Sequence, residues 1–554
     1  MSQIGKPPCD DALIRHGGAA AQLAPSVKRW VLVAAIIGSS MAFIDGTIVT
    51  VALPSIQDHL HATASEMQWV VESYALFLAS LLLVGGSLGD HFGRRRIFML
   101  GVALFAAASV GCALAGDVDM LVLARGVQGI GGALLVPGSL ALISASFPEE
   151  ERGGAIGTWS AFSGITAAVG PVLGGLLVDH YSWVWAFLIN IPFAIVVLLI
   201  GWRHVPESHG VTARKLDGWG ALLATVGLGG IVYAFIEAPA RHWGSVAVLA
   251  ALLTGCTAMI LFTVVERRVR SPMVPLALFR NRNFAGANLL TLWLYAALGG
   301  ALYFFPLNLI QVQGYSATAA GAALLPFILI MFILSRWAGR LVDSVGSKPP
   351  LVAGPALAAV GFALFAWPEI GGNYWLTFFP PVVVLGLGMA VTVAPLTTTV
   401  MNSIGADLAG IASGVNNAVS RTAALLAIAI FGMVVASAFE ASLTQKLAAM
   451  DASREVVAFL EGQRDKLAGA ALPSNLDGTR AAMVKRAIGE SFVAGFRRIM
   501  LLSAGLALMS ALGAWLLIDG KKASTRHRYP ARVARRSTLS GTADTGGTEE
   551  KRPE

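Results

Sequence analysis

The sequence predicts an all-α, polytopic membrane protein: two six-helix bundles plus two extra helices, fourteen transmembrane helices in all. Three observations carry this. Of 554 residues, 56% are hydrophobic and only 13% are charged, about half the charge of a soluble chain, and the mean hydropathy is +0.69. The apolar residues fall in blocks of about 20, the length that crosses a hydrocarbon core of roughly 30 Å. An internal repeat divides the chain in two.

The blocks place spans at 30–53, 67–88, 97–115, 120–144, 155–178, 184–202, 217–236, 245–265, 284–311, 319–341, 351–367, 376–400, 409–437 and 499–518. The expected organisation is a cytoplasmic tail (1–29), a first bundle (30–203) and a linker carrying spans 7 and 8 (204–283). A second bundle (284–518) with an external loop (438–498) follows, then a basic, disordered cytoplasmic tail (519–554). No signal peptide is expected, because the polar first 29 residues lead into a block long enough to span.

An even number of spans puts both termini on one side, and charge assigns it. Lys28 and Arg29, Arg94 to Arg96, Arg214 and Lys215, and Arg267, Arg268, Arg270, Arg280 and Arg282 all flank the same side. Both termini are therefore expected in the cytoplasm. The long loop between spans 13 and 14 is basic too, but long loops translocate regardless of charge. Its periodicity reads as an external amphipathic helical hairpin. The same distribution explains the net charge of +8 without a nucleic-acid partner. Cys9, Cys112 and Cys256 form no disulfide framework and no metal site.

The repeat is "GSLGDHFGRR" at Gly86, returning as "GRLVDSVGSK" at Gly339. Gly86, Leu88, Asp90 and Gly93 match Gly339, Leu341, Asp343 and Gly346, with Arg95 answered by Lys348. Repeated halves are how many secondary transporters are built. Glycines permit a tight turn after span 2. An acid at a helix C-terminus opposes its own dipole, so Asp90 is expected to face the N-terminus of another helix. Arg94 to Arg96 can pair with cytoplasmic acids such as those of "FPEEER". The "GGSLG" here matches a lipase elbow by chance, since it lies in a membrane helix.

Span 5 carries "GPVLGG": Gly170, Pro171, Gly174 and Gly175. Its proline kinks the helix and its glycines make a flat packing face. Asp45, Glu72 and Arg125 lie inside spans 1, 2 and 4. Counted at 1.5 Å per residue, Asp45 is roughly 22 Å above the cytoplasmic start, and the other two are roughly 8 Å below the outer one. The depths coincide, so the three can share a partly hydrated site. Such groups are costly in a membrane and mark ion or substrate paths. Desolvation and a nearby arginine pull a carboxyl's protonation in opposite senses, which suits proton coupling; a static ion pair is the alternative. Gln128 shares the Arg125 face of span 4 and is expected to line the substrate cavity. In span 13, Ser413, Asn416 or Asn417, and Ser420 or Arg421 form a polar stripe facing a cavity or interface. In span 9, Tyr303 and Phe304 could line an aromatic pocket or serve as core.

These motifs, in this order, resemble the fourteen-span drug:proton antiporter family of the major facilitator superfamily over residues 30 to 520. The Gly86 and Gly339 loops resemble its cytoplasmic gate, "GPVLGG" its antiporter signature, and "D-x-T-I-V" and "R-G-x-Q-G-x-G-G-A" its span 1 and span 4 motifs. Thr50, Val184 and Glu72 stand where the family usually has other residues. The resemblance implies multidrug efflux: export of amphipathic, often cationic compounds in exchange for protons by two rocking bundles. It implies no cofactor beyond the proton as coupling ion, and a multi-pass place in the bacterial cytoplasmic membrane. Expected partners are membrane lipid and small amphipathic substrates; a periplasmic adaptor protein is a further candidate. A dedicated exporter of one metabolite, siderophore or lipid is the alternative. An embedded enzyme or sensor is disfavoured, because no span clusters a catalytic set and the nine histidines lie in loops and tails.

Overall fold

The computed structural model describes residues 23–209, 217–269, 272–404, 409–473 and 476–519. Among these residues, fourteen helices are long and apolar enough to cross a membrane. They are α1 (Pro25–Leu60), α2 (Ala64–Phe92), α3 (Arg94–Ala113), α4 (Val118–Ser146), α5 (Glu149–His180) and α6 (Trp185–His204), then α7 (Gly218–Arg241) and α8 (Val246–Arg268). The second half holds α9 (Arg282–Leu307), α10 (Ala317–Ala322 continuing as Leu325–Val345), α11 (Lys348–Phe365), α12 (Phe379–Asn402), α13 (Ala409–Ala449) and α14 (Gly478–Leu517).

Polar residues set where these helices start. Thr63 and Glu66 form a reciprocal capping box on α2, with bonds of 3.2 and 2.8 Å. Asp117, Asp217, Ser245, Asn281, Ser316 and Asp477 cap α4, α7, α8, α9, α10 and α14. Wide apolar faces are left uncovered, with Leu123, Leu253 and Ile333 all about two-thirds exposed or more (72, 67 and 69%). Lipid is the solvent for such a surface.

We call near face the side where α1 begins and α14 ends. It is tied by Lys28 to Glu151, Asn281 to the Ser403 carbonyl and Arg282 to the Leu516 carbonyl. On the opposite, far face, α13 and α14 overrun the membrane. At 41 and 40 residues each is about 60 Å long, twice the hydrocarbon thickness. The expected hairpin is thus made by these two helices themselves, with a short helix (Arg454–Glu461) and a 3-10 turn (Arg464–Gly469) between them. His59, His91, His180 and His204, read from sequence as loop residues, sit in the last turns of their helices.

The extra pair packs through glycines: a methyl at Gly230 would meet Ala251 and Gly255 of α8. Leu228, Val232 and Ile236 of α7 cluster with Leu76 of α2 and with Leu425 and Ala429 of α13. The linker helices therefore lie against both halves. Arg214, Lys215, Arg270, Cys9 and most of the two tails (1–22 and 520–554) lie outside the described residues.

Candidate functional site

Asp45, on α1, is fully buried. Arg125 of α4 donates from Nη1 to its Oδ2 at 2.5 Å and to Gln128 Oε1 at 2.6 Å. The Arg125 Nε donates to the Val70 carbonyl of α2 at 3.0 Å. Gln128 Nε2 donates to Asp45 Oδ1 at 2.8 Å and to Ser109 of α3 at 2.9 Å. Asn190 of α6 donates to the same two oxygens, each at 3.3 Å. The Arg125 guanidinium also lies 4.3 Å from the centre of the Tyr74 ring. Five helices besides α5 are thus joined through one dry pair, which is what burying two charges requires. Gln128, expected in the substrate cavity, is a buried member of this network instead.

Glu72 does not join it. Val70 and Tyr74, four apart, face Arg125; Glu72, between them, points to the other side of α2. That side carries Gln68, Leu76 and Leu83. Gln68 donates to the Ile428 carbonyl of α13 at 3.5 Å, Leu76 clusters with Leu425, and Leu83 lies against Gly414. Glu72 is therefore turned towards the second half. It is fully buried, and neither carboxyl oxygen has a hydrogen-bond partner among the described residues. The three charges expected to share one partly hydrated site are split into a dry ion pair and a separate, unpartnered acid.

On α13, Asn416 bonds Thr291 at 2.7 Å and Asn288 at 3.2 Å, fastening α13 to α9. Asn417 is exposed and Arg421 half-buried. Of the two readings left open for Tyr303 and Phe304, pocket or core, the structure gives core: they are 3 and 1% exposed.

The span 5 signature is a packing surface. Methyls at Gly170 and Gly174 would meet Thr47 and Ile48 of α1, and one at Gly175 would meet the Ala317 and Thr318 backbone of α10. A methyl at Gly321 would meet the Pro171 carbonyl. Just beyond, Asp179 accepts from the Ala317 and Thr318 amides at 3.0 and 2.8 Å, and from the Thr318 hydroxyl at 2.6 Å. Gln57 of α1 accepts from Gln311 at 2.8 Å and donates to the Lys466 carbonyl at 3.3 Å. The halves are thus bolted together at the far face. A crevice of about 620 Å³ remains there, lined by Ser55, Asp58, Asp179, Tyr315 and Ser316 among others.

The near-face loops keep their repeat geometry. Gly93 and Gly346 end α2 and α10 with φ of +108° and +85°, a region that favours glycine. Gly86 and Gly339 pack beside Pro137 of α4 and Ala394 of α12. Asp90 pairs with Arg94 at the start of α3 (2.7 Å). The acid that serves Arg95 and Arg96 is Glu207, whose carboxylate accepts from their amides at 3.0 and 3.3 Å. In "FPEEER", Glu151 pairs with Lys28 instead. The Asp343 side chain lies outside the described residues.

Sequence reasoning missed Ser109, Asn190, Asp179, Gln57 and Glu207. A lone Asn in "FLINIPF" was the available signal for Asn190. Tyr74 stands beside Glu72 in "VVESYALF" and only its ring contact gives it a role.

Residues 35–428 match the family Major Facilitator Superfamily. The Multidrug resistance protein Stp of Mycobacterium tuberculosis is 37% identical over 422 residues, 75% of this chain and 77% of that one. The Tetracenomycin C resistance and export protein of Streptomyces glaucescens is 32% identical over 505 residues, 90% of this chain and 93% of that one. The puromycin resistance protein pur8 of Streptomyces alboniger is 33% identical over 503 residues, with the same coverages. Among solved structures, a bacterial homologue of the human lysosomal transporter Spinster superposes with a TM-score of 0.60 at 18% identity. That match covers 89% of this chain and 98% of that one. The chain belongs to the Major Facilitator Superfamily: it is a fourteen-span membrane transporter, not an enzyme.

Proposed function

We propose that this transporter exports drugs or toxic amphipathic compounds across the bacterial cytoplasmic membrane by alternating access, in exchange for protons. The names of its relatives support the substrate class: resistance to several drugs, to tetracenomycin C and to puromycin. The arginines of the near-face connections support a cytoplasmic near face. With the far face bolted, the described conformation is, in this reading, the one closed to the outside.

Glu72 carries the reading of proton exchange. A charged carboxylate at its position would need a partner, and its described neighbours offer none. Gaining or losing a proton there therefore changes the cost of closing the two halves over it. The Asp45–Arg125 pair holds the other side of α2, at Val70 and Tyr74, and so fixes the rotation that turns Glu72 towards α13. In this reading Glu72 exchanges the proton, and Asp45 and Arg125 position it.

The test is dye-evoked proton release from inside-out vesicles, with ethidium, Nile red and fluorescein supplied in turn. Wild type should move protons with at least one dye, and Glu72→Gln should bind that dye yet move none. Normal coupling in Glu72→Gln would remove the acid from the mechanism. A wild type that ignores the whole panel would favour the dedicated exporter.

A further inference from the structure

Among the described residues, Arg421 is a charge without a counter-charge. It lies twelve residues into α13 by number (Ala409–Ala449), roughly 18 Å along the helix and so near mid-membrane. No ion pair or hydrogen bond is made by its guanidinium among the described residues, and it is neither exposed nor fully buried. A cation at that depth is costly unless it faces a partner or a wet cavity.

The direction it faces follows from its helix. Gly414, Ile428 and Gly432 are seven before, seven after and eleven after Arg421, all on one face. That face meets α2: Gly414 lies against Leu83, and Ile428 and Gly432 lie against Gln68. Arg421 is thus turned to the seam between the halves, not to lipid. The antiparallel register of α2 and α13, set by the Leu83–Gly414 and Gln68–Ile428 contacts, puts it about one turn nearer the near face than Glu72, roughly 6 Å. Asn417, exposed and one turn nearer still, adds a polar step on the same side.

The remaining charges leave this one uncompensated. Asp45 is matched by Arg125, and Glu72 is buried farther in. On the α13 side of the seam a compound coming from the near face passes Asn417 and then Arg421; Asp90, at the near end of α2 on the face that carries Glu72, is already paired with Arg94. Around them Leu76 and Leu425 supply apolar wall. A guanidinium offers a planar fork that fits a carboxylate or a similar oxyanion.

We propose that Arg421 is the recognition residue for a negatively charged group of the exported compound, so that this transporter prefers amphipathic organic anions to cations. The proposal rests on reading the seam between α2 and α13 as the export route, and it does not need proton coupling. It also gives export a second driving force. An anion leaving as a proton enters moves two charges inwards, so the membrane potential acts on both.

The test is equilibrium binding to the purified full chain in detergent, without any gradient, of two dyes built on one xanthene ring: anionic fluorescein and cationic rhodamine 6G. Wild type should bind fluorescein more tightly. Arg421→Gln should weaken fluorescein about tenfold or more while changing rhodamine 6G by about twofold or less, and Arg421→Lys should keep most of the preference. Asn417→Asp supplies a competing carboxylate one turn away with Arg421 intact, and should weaken fluorescein selectively even if the Gln variant does not fold. Failure of wild type to bind fluorescein, or an anion-to-cation ratio unchanged by both Arg421→Gln and Asn417→Asp, would overturn the proposal. Because no gradient is present, loss of proton coupling at Glu72 leaves these results untouched. Conversely, failure here leaves Glu72 coupling standing.

Discussion

The Asp179 carboxylate, from the end of α5, caps the first turn of α10 in the other half, accepting both the amide and the hydroxyl of Thr318 at 2.8 and 2.6 Å. An acid at a helix N-terminus satisfies free amides and complements the dipole. In the alternating-access reading proposed above, the acid and the helix belong to bodies that part when the far face opens. The cap is therefore an interaction of one conformation only. It is solvent-exposed, so its net worth is modest, about 1–2 kcal/mol. Asp179→Ala should shift the population towards far-face opening about tenfold. Labelling of a cysteine at Ser55, in the crevice beneath, by an impermeant maleimide should rise accordingly. Equal labelling rates would show that the cap does not hold the gate.

The glycines beneath the cap make the opposite prediction. Gly175 and Gly321 let α5 and α10 touch backbone to backbone, and a methyl on either would collide with the partner's main chain. Side chains can move aside but a packed backbone cannot, so overpacking costs about 1–3 kcal/mol in this conformation. Gly175→Ala and Gly321→Ala should each favour the far-face-open state and slow transport, with the melting temperature little changed. Gly170→Ala, which meets Thr47 inside the first half, should lower the melting temperature without altering Ser55→Cys labelling.

The buried pair predicts a stability effect. Asp45→Asn leaves the Arg125 guanidinium buried with neutral oxygens only, and breaking a buried pair from one side costs about 3–5 kcal/mol. Arg125→Lys should be nearly as damaging, because an ammonium cannot reach Asp45, Gln128 and the Val70 carbonyl in the fixed fork that arginine supplies. Thermal unfolding of the purified variants checks both. An unshifted Asp45→Asn would mean the pair is not structural.

The spans were legible because lipid imposes a length, and the charges because a membrane tolerates few. Depth was legible too: Asp45, Glu72 and Arg125 were counted to one level. Rotation was the missing coordinate. Glu72 and Tyr74 are two residues apart, so helical periodicity alone puts them on opposite sides of α2. Which side met α4 and which met α13 needed the packing. Asp179 was illegible for another reason. Its partners are 138 and 139 residues away, and nothing near Asp179 in sequence marks it as a cap for a distant helix. The periodicity between spans 13 and 14 predicts hairpin helices but not their continuity with the spans, because hydropathy falls where the helix does not.

A last prediction separates two strains at one residue. Gly93 has a φ of +108°, and a methyl on it would also meet the Glu207 carboxylate. Gly93→Ala therefore adds a backbone penalty of about 1–2 kcal/mol to a collision with a side chain. Glu207→Ala removes the collision, together with the acceptor of the Arg95 and Arg96 amides. In a double-mutant cycle followed by thermal unfolding, Gly93→Ala should be less costly on the Glu207→Ala background than on wild type, by roughly 1 kcal/mol. What remains should match the backbone term alone. An additive cycle would mean that Glu207 moves aside freely, and that the glycine is required at this near-face turn only by its backbone conformation.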